Sequence, residues 1–195
     1  MIYLDHAATT PTDPDVLKAM LPFFGEYFGN ASSIHSPGQK TAGEIASARL
    51  TISDILHCQP AEIIFTGSGT EGDNLAILGV ARKKGKGHII TSQIEHHAVS
   101  HPLAQLEKEG FTVTYLPVDN YGRVAAKDVF DHLKDDTILV SIMYANNEIG
   151  TIQPIAEIGQ ELRKRGILFH TDAVQAGGTL DLDVNKLNVD LLSLS

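Results

Sequence analysis

The chain of 195 residues is long enough for one domain with a substantial core, and its 43% hydrophobic and 20% charged residues are ordinary for a globular protein. A formal net charge of -9 argues against nucleic acid or an anionic membrane as the main partner, although a local basic pocket could still hold a phosphate. The apolar runs are too short for a membrane-spanning helix, no signal peptide is apparent, and the single cysteine excludes an internal disulfide, so we expect a cytoplasmic protein.

The first sixty residues predict two helices separated by an irregular loop. Asp13-Pro14 begins a helix with apolar residues on one face, and Ser36-Pro37 caps a second helix that runs to about Leu56. Residues 28–35 between them are small and polar, so we expect this loop to serve something other than a core.

From residue 62 onward, short apolar runs alternate with amphipathic segments. Strands are predicted at residues 62–66, 88–91, 111–117, 137–143, 167–175 and 189–195. Helices are predicted at residues 75–83, from about 99 to 109, at 124–133 and at 154–165, with Gly166 as the stop of the last. This alternation predicts a three-layer α/β fold, with a mainly parallel sheet and helices on both faces.

Polar residues follow four of these strands. They are Gly69 and Thr70 in a glycine-rich turn, His96, Asn147, and finally Asp172 with Gln175. Taken singly, each has a plainer interpretation as a tight turn, a solvated helix start or a helix cap. The carboxyl ends of parallel strands share one edge of a sheet, however, and convergence there is what a ligand site requires.

Two other features have less support as functional sites. His97 and His101 are four residues apart and could chelate a metal, but nothing at ligand spacing completes the set, so we expect no metal. Cys58 lies between a helix end and the next predicted strand, away from the polar loops. A small half-buried residue is the better interpretation of Cys58 than a nucleophile.

Six stretches in order along the chain match one family. They are YLDHAATTP at 3–11, FGNASS at 28–33, FTGSGTEGDNL at 65–75, EHHAV at 95–99, NNEIGTIQP at 146–154 and HTDAVQ at 170–175. On these motifs the chain resembles the NifS/IscS-type cysteine desulfurases, which are pyridoxal 5'-phosphate enzymes of aminotransferase class V and fold type I. The resemblance implies that residues 1–15 form an N-terminal arm of the small domain and that residues 16–195 form the cofactor-binding large domain.

The resemblance also implies a role for each matching residue around pyridoxal phosphate. Gly69, Thr70 and Ser195 would hold its phosphate, His96 would stack on the ring and transfer protons, Asp172 would pair with the ring nitrogen, Asn147 and Gln175 would bond the phenolic oxygen, and Asn30 would hold the substrate carboxylate. The implied reaction removes sulfur from L-cysteine to give L-alanine and a persulfide on an enzyme cysteine, for iron–sulfur cluster or thio-cofactor assembly. The implied partners are a second copy of the chain, or another chain that carries the remainder, and a sulfur acceptor or scaffold protein.

The sequence departs from the family pattern in two ways. The family's Schiff-base lysine lies in a Ser-Gly-His-Lys run, and this sequence stops at Ser195, just before it. The family's sulfur-accepting cysteine and carboxylate-binding arginine lie further on, and Cys58 does not match that cysteine. We therefore expect this polypeptide alone to be inactive. The alternatives are a selenocysteine lyase or other class V lyase, and a non-catalytic truncated homologue that acts as a binding subunit.

Overall fold

The computed structural model describes residues 2–195 and divides the chain into two compact units, residues 1–64 and 65–195. In the first unit, helix α1 (Pro14–Met20) starts after Asp13, whose side chain accepts the N–H of Asp15 at 2.8 Å. Helix α2 (Ser36–Leu56) is the long helix of this unit. Short 3-10 helices occupy Leu21–Phe24 and Pro60–Glu62. Both predicted helices are confirmed.

The loop before α2 is held by close backbone packing. A Cβ on Gly29 would lie 2.4 Å from the carbonyl oxygen of Pro37, and one on Gly38 would lie 2.5 Å from that of Ser33. Asn30 adds a local bond, because its Oδ1 accepts the N–H of Ser32 at 2.9 Å. The loop's small residues therefore serve its own tight fold. Whether the loop also serves a ligand, as predicted, stays a prediction.

The second unit alternates helices and strands. In chain order these are α3 (Gly69–Lys84), β1 (His88–Ser92), α4 (His97–Lys108), β2 (Thr112–Leu116), α5 (Ala126–Asp131), β3 (Thr137–Ser141), α6 (Ile155–Arg165), β4 (Leu168–Asp172), α7 (Val184–Leu187) and β5 (Leu191–Ser193). The five strands form one sheet in the order β2-β1-β3-β4-β5, and every pairing is parallel. The predicted α/β fold is confirmed. None of the described helices is both long and apolar enough to cross a membrane.

The core lies on both faces of this sheet, because successive side chains of a strand point to opposite sides. Ile90 and Val140 pack in one buried cluster with residues of α5 and α6. Their neighbours Ile89 and Leu139 pack in the other cluster with residues of α3 and α4. The strands are therefore apolar on both faces, which is why they appear in the sequence as continuous apolar runs.

Three features differ from the prediction. Helix α3 begins at Gly69, inside the predicted glycine-rich turn, rather than at residue 75. The predicted strand at residues 62–66 is wrong. The segment starts with the end of a 3-10 helix, and its remaining residues pair with no described strand. Ile64 and Phe65 are exposed there, at 68% and 48%. A strand needs a neighbour to complete its hydrogen bonds, and an apolar run does not specify one. Helix α7 was not predicted, since its four residues are too few to show a helical period.

The contact between α6 and α7 depends on one glycine. A Cβ on Gly159, in the middle of α6, would lie 2.4 Å from the carbonyl oxygen of Leu187 and 2.7 Å from that of Asn188. Both are backbone atoms, which cannot move aside as a flexible side chain can. The close approach of α7 to α6 therefore requires a residue without a side chain at 159.

Gly159→Ala should lower the free energy of unfolding by about 2 kcal/mol, because the added methyl overlaps backbone atoms. Gly79→Ala on α3 is the matched control, since its Cβ would meet nothing within 4 Å. Removing a mid-helix glycine at that open position should stabilise the protein by up to about 1 kcal/mol. Urea unfolding measures both, and equal effects of the two substitutions would contradict this packing.

Candidate active site

The carboxyl end of the sheet gathers most of the residues predicted to form a site. Asp172 is the last residue of β4, and its register partner on β5 is Ser193. His96 is the cap residue immediately before α4, in the loop that leaves β1. Gly69 begins α3. Parallel pairing brings the strand ends to one edge, as in other open α/β sheets.

The N-terminus of α3 is built to accept an anion. The Ser68 hydroxyl accepts the N–H of Glu71 at 3.2 Å, and the Glu71 carboxylate accepts the N–H of Gly67 at 2.6 Å. These bonds leave the N–H groups of Gly69 and Thr70, which have no acceptor within the helix. Free N–H groups at the positive end of a 16-residue helix attract a phosphate.

Gly69 also brings this helix start against the loop after β4. A Cβ at Gly69 would lie 2.6 Å from Cγ2 of Val174 and 3.6 Å from Cβ of Ser195. This close approach is why the position requires glycine. It also places two of the residues predicted to bind phosphate, Gly69 and Ser195, beside each other.

Asp172 is a buried carboxylate, 7% exposed, with little to balance its charge. Its Oδ1 accepts the N–H of Val174 at 3.0 Å. Burial raises the pKa of this carboxyl, and the nearby charge of Asp73 raises the pKa further. The Val174 N–H and the rings of His170 and His96 lower it. A buried carboxylate in this position favours a ligand that brings a positive charge or a hydrogen-bond donor.

His96 is exposed, with one ring nitrogen already engaged. Its Nδ1 accepts the N–H of Ala98 at 3.1 Å. In the neutral ring Nε2 therefore carries the proton, and Nε2 lies on the side of the ring away from Ala98. The adjacent His97 is also exposed and stacks on His101, with ring centroids 4.8 Å apart. Within residues 2–195, no group of three or more His, Cys, Asp or Glu side chains is arranged to hold a metal.

The turn after β3 contains two neighbouring asparagines, Asn146 and Asn147, whose side chains differ in burial and in their hydrogen bonds. Asn146 is buried and structural: its Oδ1 accepts the N–H groups of Glu148 and Ile149, and its Nδ2 donates to the carbonyl of Ile94 at 3.1 Å. Asn147 is partly exposed, and its amide donates to the Glu148 carboxylate at 2.8 Å. Of the pair, Asn147 is the one whose side chain is accessible to a ligand.

The other predicted residues lie at the surface. Gln175 and Ser195 are exposed residues of the second unit, near the ends of β4 and β5. Asn30 belongs to the first unit, in the tight loop before α2. The roles assigned to these three residues stay predictions. Cys58 is half-buried, as expected, and burial raises the pKa of its thiol, with the charge of Glu62 adding to the effect.

Three further acidic or basic side chains lie in this region. The sequence indicates no role for Asp73 or Glu95, and it indicates His170 only as a supporting or structural residue of the strand before Asp172. Asp73 is four residues after Gly69 on α3, and His170 is two residues before Asp172 on β4. Helical and strand periodicity place each on the same face as its neighbour in the site. That spacing is the signal that could have found Asp73 and His170.

Glu95 is a buried acid that braces the loop carrying His96. Its Oε1 accepts the hydroxyl of Ser92 at 2.5 Å and the N–H of Met143 at 3.1 Å. Part of the residue is accessible, but its Oε2 lies out of solvent and has no hydrogen-bond partner. Burial raises the pKa of Glu95 from 4.5 to about 8, and the charges of Asp172 and Asp73 contribute. Glu95 is therefore a neutral acid near pH 7.

Glu95→Gln should stabilise the protein and flatten its pH dependence. In the unfolded chain Glu95 ionises above pH 4.5, whereas the folded protein keeps the proton up to about pH 8. The folded state is therefore penalised progressively as pH rises between these values. Glutamine mimics the protonated acid, so the variant should gain on the order of 3 kcal/mol at pH 8 and little at pH 4.5.

Urea unfolding at a series of pH values measures this effect. Glu44→Gln, which removes an exposed acid on α2, is the control and should change little. A Glu95→Gln variant with the same pH slope as wild type would show that Glu95 is ionised in the folded protein.

Comparison with known proteins gives a consistent result. The family model for aminotransferase class-V matches residues 2–195. The cysteine desulfurase IscS of Methanosarcina thermophila is 56% identical over 197 residues, covering 100% of this chain and 48% of that protein. The IscS of Clostridium botulinum strain Hall is 54% identical, again over 100% of this chain and 49% of that protein.

A solved structure described as SspA in complex with cysteine superposes with a TM-score of 0.98 at 43% identity, covering 100% of this chain and 57% of that one. The present chain thus spans about half the length of the curated relatives it matches. Its parallel sheet and flanking helices match the fold of that structure and of a solved NifS-like protein. The chain belongs to the aminotransferase class-V family.

Proposed function

We propose that this chain provides the cofactor site of a cysteine desulfurase, which uses pyridoxal 5'-phosphate to convert L-cysteine into L-alanine and an enzyme-bound persulfide. The observation that supports it most is the convergence of a buried carboxylate, Asp172, with the open helix N-terminus at Gly69. The similarity to IscS proteins from two organisms, and to SspA in complex with cysteine, supports the choice of reaction and substrate.

The described residues fit this cofactor at both of its charged ends. Its phosphate would accept the free N–H groups of Gly69 and Thr70, and the hydroxyl of Ser195 would add a third donor. Its protonated ring nitrogen would supply the positive charge that the buried Asp172 lacks. A Cβ at Gly69 would disturb the first of these contacts by displacing Val174.

The remaining assignments concern the ring and the substrate. Pyridoxal phosphate, when bound, supplies an electron sink for the substrate α-carbon, and Asp172 maintains it by keeping the ring nitrogen protonated. His96 would cover the ring and move a proton through Nε2, since Nδ1 is engaged by Ala98. Asn147 and Gln175 would donate to the phenolic oxygen, and Asn30 would hold the substrate carboxylate.

Cys58 does not fit the role of sulfur acceptor. Burial and the charge of Glu62 raise the pKa of its thiol, so little reactive thiolate forms at neutral pH. We therefore assign the sulfur-accepting cysteine to another residue of the complete enzyme, and we assign the Schiff-base lysine there as well, as the resemblance to the family implies. We also propose that this enzyme is cytoplasmic and dimeric, and that it passes sulfur to an acceptor or scaffold protein.

The activity test uses the protein expressed from its complete gene together with any chain that copurifies with it. Incubation with L-cysteine and a thiol reductant should release sulfide and L-alanine in equal amounts. His96→Ala should lower the rate by about 10²–10⁴-fold through loss of proton transfer. His97→Ala, its exposed neighbour, should keep most of the rate.

Two results would contradict the proposal. Absence of sulfide from a preparation that binds the cofactor would favour a non-catalytic binding subunit. Preferred release of selenide from selenocysteine, with little reaction of cysteine, would favour a selenocysteine lyase.

Gly69→Ala should weaken the affinity for pyridoxal phosphate by about tenfold or more, because the new methyl pushes Val174 and the helix N-terminus apart. The double variant Gly69→Ala with Val174→Ala removes the clashing methyl groups and should recover much of this loss. Binding of pyridoxal, which lacks the phosphate, is the control and should change far less. Equal losses for both ligands would show that the helix N-terminus does not hold the phosphate.

A further inference from the structure

We propose that Asp73 is a positioning residue: a second buried acid behind Asp172 that strengthens the site's hold on a positively charged ring nitrogen, while His170 moderates this effect. This inference rests on the proposed function, because it concerns how the cofactor ring is held. It assigns a task to two side chains that the matching motifs contain but that the sequence left without a specific role.

Asp73 is an unusual residue for the interior of a protein. It lies on α3, is 1% exposed, and neither of its carboxylate oxygens has a hydrogen-bond partner. The nearest charge-bearing contact is His170, whose Nε2 lies 3.4 Å from Oδ1 of Asp73. Burying a carboxylate without hydrogen bonds costs several kcal/mol in general. A side chain kept at such a cost is a candidate for a functional task.

His170 is held rigidly beside this carboxylate. It is fully buried on β4, and its Nδ1 and Nε2 bond the hydroxyls of Ser141 at 2.9 Å and Ser193 at 3.1 Å. Ser141 lies on β3 and Ser193 on β5, the strands that flank β4 in the sheet. The ring therefore cannot turn away from Asp73 without breaking contacts to both neighbouring strands.

This layer lies directly beneath Asp172. His170 and Asp172 are two residues apart on β4, so their side chains share one face of the sheet. Gly72 on α3 faces the same region, because a Cβ there would lie 3.3 Å from Oγ of Ser193. Helix α3 thus covers the face of the sheet on which Asp172, His170 and Ser193 lie.

The groups around Asp172 act on it in opposite directions. Burial raises the pKa of Asp172, and the charge of Asp73 raises it further, whereas the Val174 N–H and the rings of His170 and His96 lower it. Glu95 belongs to the same acidic surroundings, since the charges of Asp172 and Asp73 contribute to its own raised pKa. A more basic carboxylate, backed by another negative charge, holds a protonated ring nitrogen more strongly.

The test compares two ligands that differ only at the ring nitrogen. Protein expressed from the complete gene is freed of cofactor and titrated with pyridoxal phosphate and with its 1-deaza analogue, in which C–H replaces the nitrogen. The ratio of the two affinities isolates the contact with Asp172. Asp73→Asn should lower this ratio about tenfold, and His170→Gln should raise it. Asp135→Asn, which removes an exposed acid, is the control and should not change the ratio.

A purely structural role for the pair predicts a different pattern. Both variants would then weaken both ligands alike and leave the ratio at the wild-type value, which would overturn the inference. A fall in the ratio with His170→Gln as large as that with Asp73→Asn would also overturn it. If wild type itself does not prefer pyridoxal phosphate, the proposed role of Asp172 fails and this inference fails with it. Suppose instead that wild type prefers pyridoxal phosphate, that Asp172→Asn removes this preference and that Asp73→Asn does not. In that case only the inference about Asp73 fails.

If Asp73→Asn does not fold, a second measurement on His170→Gln tests whether the groups behind Asp172 act on its carboxyl. The titration of the Asp172 carboxyl carbon, followed by ¹³C NMR in cofactor-free protein, should have a midpoint about one pH unit higher in His170→Gln than in wild type. An unchanged or lower midpoint would overturn the inference.

Discussion

The parallel pairing of β4 with β3 and β5 is the constraint on which the rest of the site depends. It aligns Ser141 with His170 and Asp172 with Ser193, and so fixes which side chains meet at the carboxyl edge. The loop after β4 then reaches the start of α3, where the absence of a side chain at Gly69 allows Val174 to approach. Strand pairing thus sets the position of the buried carboxylate, and the close packing at Gly69 brings the helix N-terminus to the same edge.

The electrostatics of this edge follow from burial. Three acids, Asp73, Glu95 and Asp172, lie in it, and desolvation is the largest cause of the raised pKa values of Glu95 and Asp172. Taking carboxylates out of water is unfavourable unless something compensates. Glu95 avoids this cost by staying protonated, whereas neither oxygen of Asp73 has a hydrogen-bond partner and the ring of His170 lies 3.4 Å away. In our proposal, the positive ring nitrogen of the cofactor would compensate Asp172, which lies at the end of β4.

The sequence predicted the sheet well because its central strands are buried on both faces and appear as apolar runs, as in residues 137–143. The segment at 62–66 shows the same apolar character, yet it forms no strand among the described residues, because a ladder depends on a neighbour that composition does not reveal. Helix α7 is too short to show a period, although Asp183 caps it clearly in the structure.

The candidate site residues could also be found from sequence, since Gly69, His96 and Asp172 each lie within a few residues of the end of an apolar run. Spacing places Asp73 on the same face as Gly69, and His170 on the same face as Asp172, but spacing alone does not show what these two side chains contact. An acid inside a helix is usually solvated, and a histidine inside a strand is usually a packed core residue. Only the register of β3, β4 and β5 shows that His170 lies between two serines and against a buried carboxylate.

The central claim is that Asp172 and the N-terminus of α3 hold the two ends of one cofactor. A crystal structure of the protein with bound pyridoxal phosphate tests it most directly. We expect the ring nitrogen within about 3 Å of an Asp172 oxygen, with the phosphate on the N–H groups of Gly69 and Thr70. A phosphate bound elsewhere, or a ring nitrogen turned away from Asp172, would contradict it.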